Sequence, residues 1–174
     1  MKTIEITFWI LAGIVVYTYL GYGILLYAVV KLRRLFGLHQ KKAANDSFEP
    51  PVTLFIAAYN EKDYVAAKMK NSLELDYPKD KLTILWVTDG SDDGTDQVLA
   101  GYPEATVLHD PARNGKIGAM NRGMKLVKTP IVIFSDANTM LGRESVRRIV
   151  RLFSDKIVGC VSGEKRILDK GSDT

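Results

Sequence analysis

The first strong hydrophobic pattern is a run of 25 residues without a charge, from Ile6 to Val30. At about 1.5 Å rise per residue, a helix of this length exceeds the roughly 20 residues that cross a bilayer's hydrocarbon core. A cleaved secretory signal would have a shorter apolar region ending at small residues, whereas this run carries Tyr22 and Tyr27 and stops at cations. The pattern therefore predicts one N-terminal transmembrane helix.

The charges beside this run predict how it is oriented. Lys2 and Glu5 precede it, whereas five cations and no anion follow it closely: Lys31, Arg33, Arg34, Lys41 and Lys42. Cationic flanks resist translocation, so the C-terminal side is expected to be cytoplasmic, with a single pass through the cell membrane. Residues 1–36 are thus interpreted as a membrane anchor with a basic flank.

Polar residues dominate positions 37–51, which close with Pro50-Pro51 and are interpreted as a linker. From residue 52 to residue 174, short apolar runs alternate with segments of helical spacing, as expected for one α/β domain. The predicted helices span residues 61–75, 115–127 and 143–153. The predicted strands span residues 52–58, 82–88, 105–109, 131–135 and 157–161.

Alternating strands and helices predict a mainly parallel sheet covered by helices on both faces. Ligands of such sheets bind beyond the carboxyl ends of the strands. Polar and acidic residues follow three of the predicted strands: Ala58-Tyr59-Asn60-Glu61, Asp89-Gly90-Ser91-Asp92-Asp93-Gly94-Thr95 and Asp136-Ala137-Asn138. One edge of the sheet is therefore the candidate site.

Composition narrows the possible functions. The chain has 174 residues, 47% of them hydrophobic, and a net charge of +4 that is concentrated beside the apolar run. A general basic surface for nucleic acid is therefore not predicted. Cys160 is the only cysteine, which excludes an intrachain disulfide and a cysteine-built metal site. Because it lies in an apolar run, it is expected to be buried.

The acidic loop after the second strand has several possible roles. A calcium-binding loop that began at Asp89 would need glutamate at its twelfth position, where the chain has Ala100. Helix capping accounts for Asp92 or Asp93. It does not account for Asp89, which ends an apolar strand, and for this residue we favour a ligand role.

Two further segments leave their roles open. Lys116 opens a predicted helix, where it is either a solvated lysine or a partner of a bound phosphate. Asp136 and Asn138 could converge on a hard cation, or they could simply form hydrogen bonds within a turn.

Taken together, these segments resemble the processive and lipid-linked glycosyltransferases of family 2, which have the Rossmann-like GT-A nucleotide-binding fold. The resemblance spans roughly residues 50–165. It is carried by Ala58-Tyr59-Asn60-Glu61, Val87 to Thr95, Asn114-Gly115-Lys116, Ala119 to Gly123, and Phe134-Ser135-Asp136-Ala137-Asn138.

The resemblance implies a role for each matching residue. Tyr59 and Glu61 would line a nucleoside pocket, and Asp89 would hydrogen-bond the base, expected to be uracil. Lys116 would approach the diphosphate. Asp136, with Asn138, would help to hold Mg²⁺ or Mn²⁺.

Three departures from the family pattern affect these expectations. Thr88 stands where the family often has a first aspartate, and Asn138 stands where the metal motif usually has a second carboxylate. The family's acceptor-side aspartate, which would act as the base, would lie beyond Thr174. The resemblance therefore implies a donor-binding domain over residues 52–174 that is incomplete at its C-terminal end, and the catalytic residues remain unknown.

The resulting hypothesis is the donor-binding half of a membrane-anchored glycosyltransferase. It would use a UDP-sugar for inverting transfer to a polysaccharide or glycolipid acceptor. Two alternatives stay open: a polyprenyl-phosphate sugar transferase using GDP-mannose or UDP-glucose, and a catalytically inert membrane module that binds sugar nucleotides.

Overall fold

A computed structural model describes residues 2–35 and 47–164, with the side chain of Arg34 excluded. Residue contacts divide the chain into two compact units, Met1–Ala43 and Ala44–Thr174. Most of the predicted linker, together with Lys41 and Lys42 of the basic flank, lies outside the described residues. The two units are considered separately.

The described part of the N-terminal unit, residues 2–35, is a continuous helical segment. Helix α1 spans Lys2–Val16, a π-helical turn spans Tyr17–Gly21, and helix α2 spans Tyr22–Leu35. Within the described ranges, Lys2–Arg33 is the one helix long and apolar enough to cross a membrane. Its most apolar 18-residue stretch has a mean hydropathy of 1.8, and none of the residues in that stretch is buried. The predicted apolar helix is therefore present.

The second unit is built on four parallel strands: β1, Val52–Ala58; β2, Leu82–Asp89; β3, Ala105–Asp110; and β4, Ile131–Asp136. Their order across the sheet is β3-β2-β1-β4. The connecting helices are α3, Lys62–Leu73; α4, Thr95–Leu99; α5, Gly115–Met124; and α6, Ser145–Val150. Short 3-10 turns cover Lys79–Lys81 and Arg151–Ser154. The predicted α/β class with a mainly parallel sheet is confirmed.

Side-chain alternation along the strands builds a core on each face of the sheet. On one face, residues of α3, α4 and α6 pack around Leu54, Ile56 and Trp86, each fully buried. On the other face, α5 packs against Phe55 and Val87. Successive side chains along a strand point to opposite faces of the sheet. The position of a polar residue at a strand end therefore decides whether it faces α5 or the layer of α3, α4 and α6.

Helix α5 lies unusually close to the sheet because of a glycine. A Cβ at Gly123 would come within 2.5 Å of Phe55 Cε2 and 2.6 Å of Val87 Cγ2. No side chain larger than hydrogen fits between the helix and these two residues. The backbone of α5 therefore approaches β1 and β2 directly.

Two predictions near the end of the described region were wrong. Residues 157–161 are not a strand, and Ile157 is 88% exposed. Cys160 is exposed rather than buried. An apolar run forms a strand only where a neighbouring strand supplies hydrogen bonds, and among the described residues β4 is paired with β1 alone. The three predicted helices are also shorter than their patterns, since α3 covers Lys62–Leu73, α5 ends at Met124 and α6 covers Ser145–Val150.

The close approach of α5 predicts that Gly123→Ala destabilises the fold. Helix propensity alone would favour alanine by about 1 kcal/mol, but the added methyl group would overlap Phe55 and Val87. We expect a net loss of about 1–3 kcal/mol, the usual cost of overpacking. Unfolding of the full chain in detergent, followed by near-UV circular dichroism, measures it.

Gly159→Ala is the control, because a Cβ there meets no atom within 4 Å. A Gly123→Ala variant that unfolds at the same midpoint as wild type would contradict the described position of α5.

Candidate functional site

The strand order reverses direction beside β1. The chain moves from β1 to β2 and β3 on one side, and then crosses to place β4 on the other side of β1. Open parallel sheets bind ligands beyond the carboxyl ends of the strands at such a reversal. The segments that leave β1 and β4 at this point begin with Tyr59 and Ala137, so the structure directs attention to the edge that the sequence predicted.

Strand alternation turns two predicted aspartates toward the same helix. Asp89 follows Val87 on the α5 face, and Asp136 pairs in register with Ala57, which also packs on that face. Both carboxylates make contacts with α5 or with the residue before it. Asp89 and Asp136, far apart in sequence, are thereby brought to one helix.

Asp89 is nearly buried, with 4% exposure, and both of its carboxylate oxygens accept hydrogen bonds from N–H groups of the protein. Its Oδ2 accepts the backbone N–H of Asn114 at 2.8 Å, and its Oδ1 lies 3.1 Å from Arg122 Nη1. Arg122 also pairs with Asp110 at 3.1 Å and donates to the carbonyl of Thr88 at 2.8 Å. In this structure Asp89 fastens the start of α5 to β2, and its contact with a nucleobase stays a prediction.

Arg122 was not assigned a role from the sequence. Two features of the sequence pointed to an ion pair there. Arg122 lies one residue before Gly123 in the predicted helix, and the strand before that helix, β3, ends in Asp110. A buried carboxylate requires a cationic or hydrogen-bonding partner, but sequence spacing alone did not identify the partner.

Reciprocal hydrogen bonds tie the loop after β1 to the loop after β2. Asn60 Nδ2 donates to Asp92 Oδ1 at 2.8 Å, and Asp92 N donates to Asn60 Oδ1 at 3.0 Å. Asn60 has a positive φ of 52°, a conformation that asparagine tolerates better than most residues. The Tyr-Asn-Glu segment is therefore held in place by the acidic loop.

Asp93 links the first turns of two helices. It accepts the backbone N–H of Thr95 at 2.9 Å and that of Lys62 at 3.0 Å. Desolvation works against the charged form, but these hydrogen bonds and one from the Thr95 hydroxyl together lower the pKa of Asp93. Asp93 is therefore a structural residue of the loop, although the N-cap position of α4 is Gly94 and not the aspartate that the capping interpretation named.

Tyr59 is 41% exposed, and the guanidinium group of Arg113 stacks over its ring. The Arg113 guanidinium carbon lies 3.9 Å from the ring centroid, and Arg113 Nη1 donates to the Tyr59 hydroxyl at 3.2 Å. The backbone of Arg113 passes so close to Gly90 that a Cβ there would lie 2.9 Å from its N and Cα. The loop before α5 thus lies against the loops that follow β1 and β2.

Lys116 and Asp136 are in direct contact. Lys116 Nζ lies 2.8 Å from Asp136 Oδ1, and their side chains are 67% and 49% exposed. Both groups are therefore accessible from solvent at the edge where β4 ends. Of the residues predicted from the sequence, these two meet most closely.

Glu61 belongs to the same cluster of charges. Burial raises its pKa, and the nearby negative charges of Asp136 and then Asp93 raise it further. Nearby like charges disfavour the ionised form of a carboxyl group. Glu61 is therefore placed within electrostatic range of the predicted metal-binding residues.

The oxygen atoms at this edge fit a hard divalent cation that is also held by a ligand. Asp136 offers a carboxylate, and the exposed Asn138 offers an amide oxygen, which here accepts the Thr139 hydroxyl at 3.4 Å. Across residues 2–35 and 47–164, no three His, Cys, Asp or Glu side chains gather into a metal site of their own. Such sparse ligation suits Mg²⁺ or Mn²⁺ when water and phosphate oxygens complete the coordination.

A buried lysine that the sequence interpretation overlooked lies behind Asp136. Lys68 of α3 has no exposed surface, donates to Ser135 Oγ at 2.7 Å, and donates to the carbonyl oxygen of Thr139. Burial lowers its pKa to about 8, and the charge of Asp136 opposes that change. The helical spacing of Val65, Lys68, Met69 and Ser72 was the available signal, since it places Lys68 on the buried face.

Comparison with known sequences identifies the family. The family model for glycosyl transferase family 2 matches residues 53–171. The beta-monoglucosyldiacylglycerol synthase of a Nostoc species is 31% identical over 135 residues, which are 74% of this chain and 29% of that protein. The poly-beta-1,6-N-acetyl-D-glucosamine synthase of Staphylococcus aureus is 30% identical over 141 residues, 79% of this chain and 34% of that protein.

Solved structures agree on the fold. A mannosyltransferase from Pyrobaculum calidifontis, PcManGT, in complex with GDP-Man and Mn²⁺, superposes with a TM-score of 0.73 and 28% identity, covering 87% of this chain and 46% of that one. S. aureus TarS 1–349 with UDP gives a TM-score of 0.53 at 20% identity, over 56% of this chain and 30% of that one, and supports the fold alone. The predicted Rossmann-like GT-A fold is confirmed.

The chain spans about a third of the length of the curated relatives named above. The match to the family model covers the four strands and the loops that carry Asp89, Lys116 and Asp136, with only the first residue of β1 outside it. On this evidence the chain belongs to glycosyl transferase family 2, a family of enzymes.

Proposed function

We propose that this chain is the donor-binding part of a membrane-anchored glycosyltransferase that uses a nucleoside-diphosphate sugar, specifically a UDP-sugar. The observation that supports it most strongly is the Lys116–Asp136 pair at 2.8 Å, exposed at the edge of the sheet where the strand order reverses. A cationic and an anionic group side by side there can bind a diphosphate and its counterion together.

Each predicted residue has a place in this proposal. Tyr59 and Glu61 lie at the end of β1 toward the nucleoside, with Asp89 behind the α5 start. Lys116 binds phosphate oxygens, aided by the outward N–H groups at the N-terminus of α5. Asp136 and Asn138 hold Mg²⁺ or Mn²⁺. When bound, the cation neutralises charge that accumulates on the diphosphate as the sugar departs.

An inverting transfer also requires a base that takes the proton of the acceptor hydroxyl. None of the residues named above is proposed to be that base. Two relatives are named for products of different kinds, a glycolipid and a polysaccharide. We therefore propose a glycan or lipid acceptor for the whole protein.

A second candidate function has one observation in its favour. The solved mannosyltransferase with a TM-score of 0.73 holds GDP-Man rather than a uridine nucleotide. A GDP-mannose-dependent transferase acting on a polyprenyl phosphate is therefore the alternative. The two candidates differ in the base that the site selects, and nucleotide binding distinguishes them.

Membrane attachment through Lys2–Arg33 is part of the proposal. Lys31 and Arg33 end this helix, and further cations follow in the sequence, so positive charge favours a cytoplasmic location for the second unit. Sugar nucleotides made in the cytoplasm would then reach the site without crossing the membrane.

Titration calorimetry of the full chain with UDP and with GDP, each with and without Mn²⁺, tests the donor proposal. We expect saturable Mn²⁺-dependent binding of UDP that exceeds that of GDP. Asp136→Asn keeps the side-chain shape but removes the charge that faces the cation, so we expect at least a tenfold weaker affinity, or about 1.4 kcal/mol.

Asp80→Asn is the matched control, because Asp80 is an exposed aspartate in the turn that precedes β2, at the opposite edge of the sheet. Its affinity should stay within twofold of wild type. Tighter GDP binding would select the alternative candidate. Absence of binding for both nucleotides, or equal binding by wild type and Asp136→Asn, would refute the donor site proposed here.

The orientation can be tested through the single cysteine, since Cys160 is exposed. In spheroplasts that express the chain, a membrane-impermeant maleimide should leave Cys160 unlabelled until the membrane is permeabilised. In a Cys160→Ser background, Thr3→Cys should be labelled without permeabilisation. Labelling of Cys160 in intact spheroplasts would contradict the cytoplasmic location.

A further inference from the structure

The turn that carries the proposed cation ligands is held from behind by α3. Asp136 and Thr139 close the turn through the N–H of Thr139, which donates to the carbonyl of Asp136 at 3.2 Å. Lys68 Nζ reaches across the base of this turn. It bonds Ser135 Oγ, one residue before the turn, at 2.7 Å, and the carbonyl oxygen of Thr139, the last residue of the turn.

Strand alternation explains why the lysine and the ligands lie on opposite sides. Ser135 continues the row of Ile131 and Ile133 toward α3, whereas Asp136 faces α5 and Lys116. One ammonium can therefore hold the strand end and the turn without occupying the face that meets the donor. Asn71 extends the attachment, since its amide bonds both the N–H and the carbonyl of Leu141 at 2.8 Å.

Lysine at this position is costly for folding alone. Its side chain is fully buried, and an ammonium loses much of its hydration there. Methionine or leucine would fill a similar volume in α3 without that cost. The two acceptors that Lys68 satisfies both belong to the segment around Asp136, so its contacts point toward the site rather than toward the core.

We propose that Lys68 is a positioning residue of the donor site: its buried ammonium joins Ser135 to Thr139 and thereby holds Asp136 and Asn138 where they take the cation bound to the donor diphosphate. This inference rests on the proposed function and adds a residue outside the face that contacts the donor. The negative charge of Asp136 also favours the protonated form of Lys68, against the larger effect of burial.

Lys68→Met tests the proposal, with Ser72→Ala as the matched control. Ser72 is another fully buried polar residue of α3, but its hydroxyl bonds only the carbonyl of Lys68 within the helix, at 2.8 Å. Calorimetry of the full chain would use UDP with Mn²⁺, or GDP with Mn²⁺ if wild type prefers it, and the corresponding nucleoside without metal.

We expect Lys68→Met to weaken binding of the nucleotide with Mn²⁺ at least tenfold and to leave nucleoside affinity within twofold of wild type. Ser72→Ala should match wild type in both. If Lys68→Met does not fold, Lys68→Gln, which keeps a donor nitrogen but loses the charge and is shorter, should show at least a fivefold loss. Equal nucleotide affinity in wild type and the variant, or a parallel loss of nucleoside binding, would overturn the proposal.

Hydrogen exchange separates this inference from the proposed function. If wild type binds neither nucleotide with Mn²⁺, the proposed function fails, and the anchoring by Lys68 is judged by exchange of the amides of residues 136–141. Exchange at least tenfold faster in Lys68→Met than in wild type and Ser72→Ala supports the anchoring. Unchanged exchange overturns it.

Discussion

Asp89, which is nearly buried, ties both the start and the last turn of α5 to β2, and the rest of the site depends on that attachment. Asp89 Oδ1 lies 3.1 Å from Arg122 Nη1, and Asp89 Oδ2 accepts the N–H of Asn114 immediately before the helix. Breaking a fully buried ion pair typically costs about 3–5 kcal/mol, and removal of Arg122, whose side chain is 22% exposed, should cost less than that. Gly123 lets the same helix approach the sheet, and Lys116 consequently meets Asp136. The position of the exposed Lys116–Asp136 pair thus depends on the contacts that the nearly buried Asp89 makes with α5.

The sequence was sufficient for the parts of the structure that follow from periodicity. The four apolar runs that became β1 to β4 were identified within one residue of their observed ends, because burial on both faces of a parallel sheet demands continuous apolar residues. The edge of the sheet that gathers Glu61, Lys116 and Asp136 followed from parallel topology. The strand predicted at 157–161 is absent. An apolar run forms a strand only beside another strand that can hydrogen-bond to it, and hydrophobicity alone does not show whether such a neighbour exists.

Contacts that depend on which face a side chain takes were harder to predict. Asp89 has the sequence context of a ligand, but the structure buries it against Arg122, a partner 33 residues away. Lysine is usually a surface residue, and only the helical spacing that places Lys68 among the buried residues of α3 indicated that this one is buried. In both cases a buried charged group contacts segments that carry candidate site residues. The sequence shows which residue is charged, but it does not show which group that residue contacts.

The central claim is that the cation and diphosphate bind at the edge where β1 and β4 end. Paramagnetic broadening by Mn²⁺ in the presence of the nucleotide tests it most directly, through amide resonances of the isotopically labelled full chain. We expect broadening of the resonances of residues 59–61, 114–116 and 136–139, whereas resonances at the opposite ends of the strands, including those of Thr53, Thr83 and Ile131, should stay sharp. Broadening centred on the opposite edge, or no nucleotide-dependent broadening at all, would contradict it.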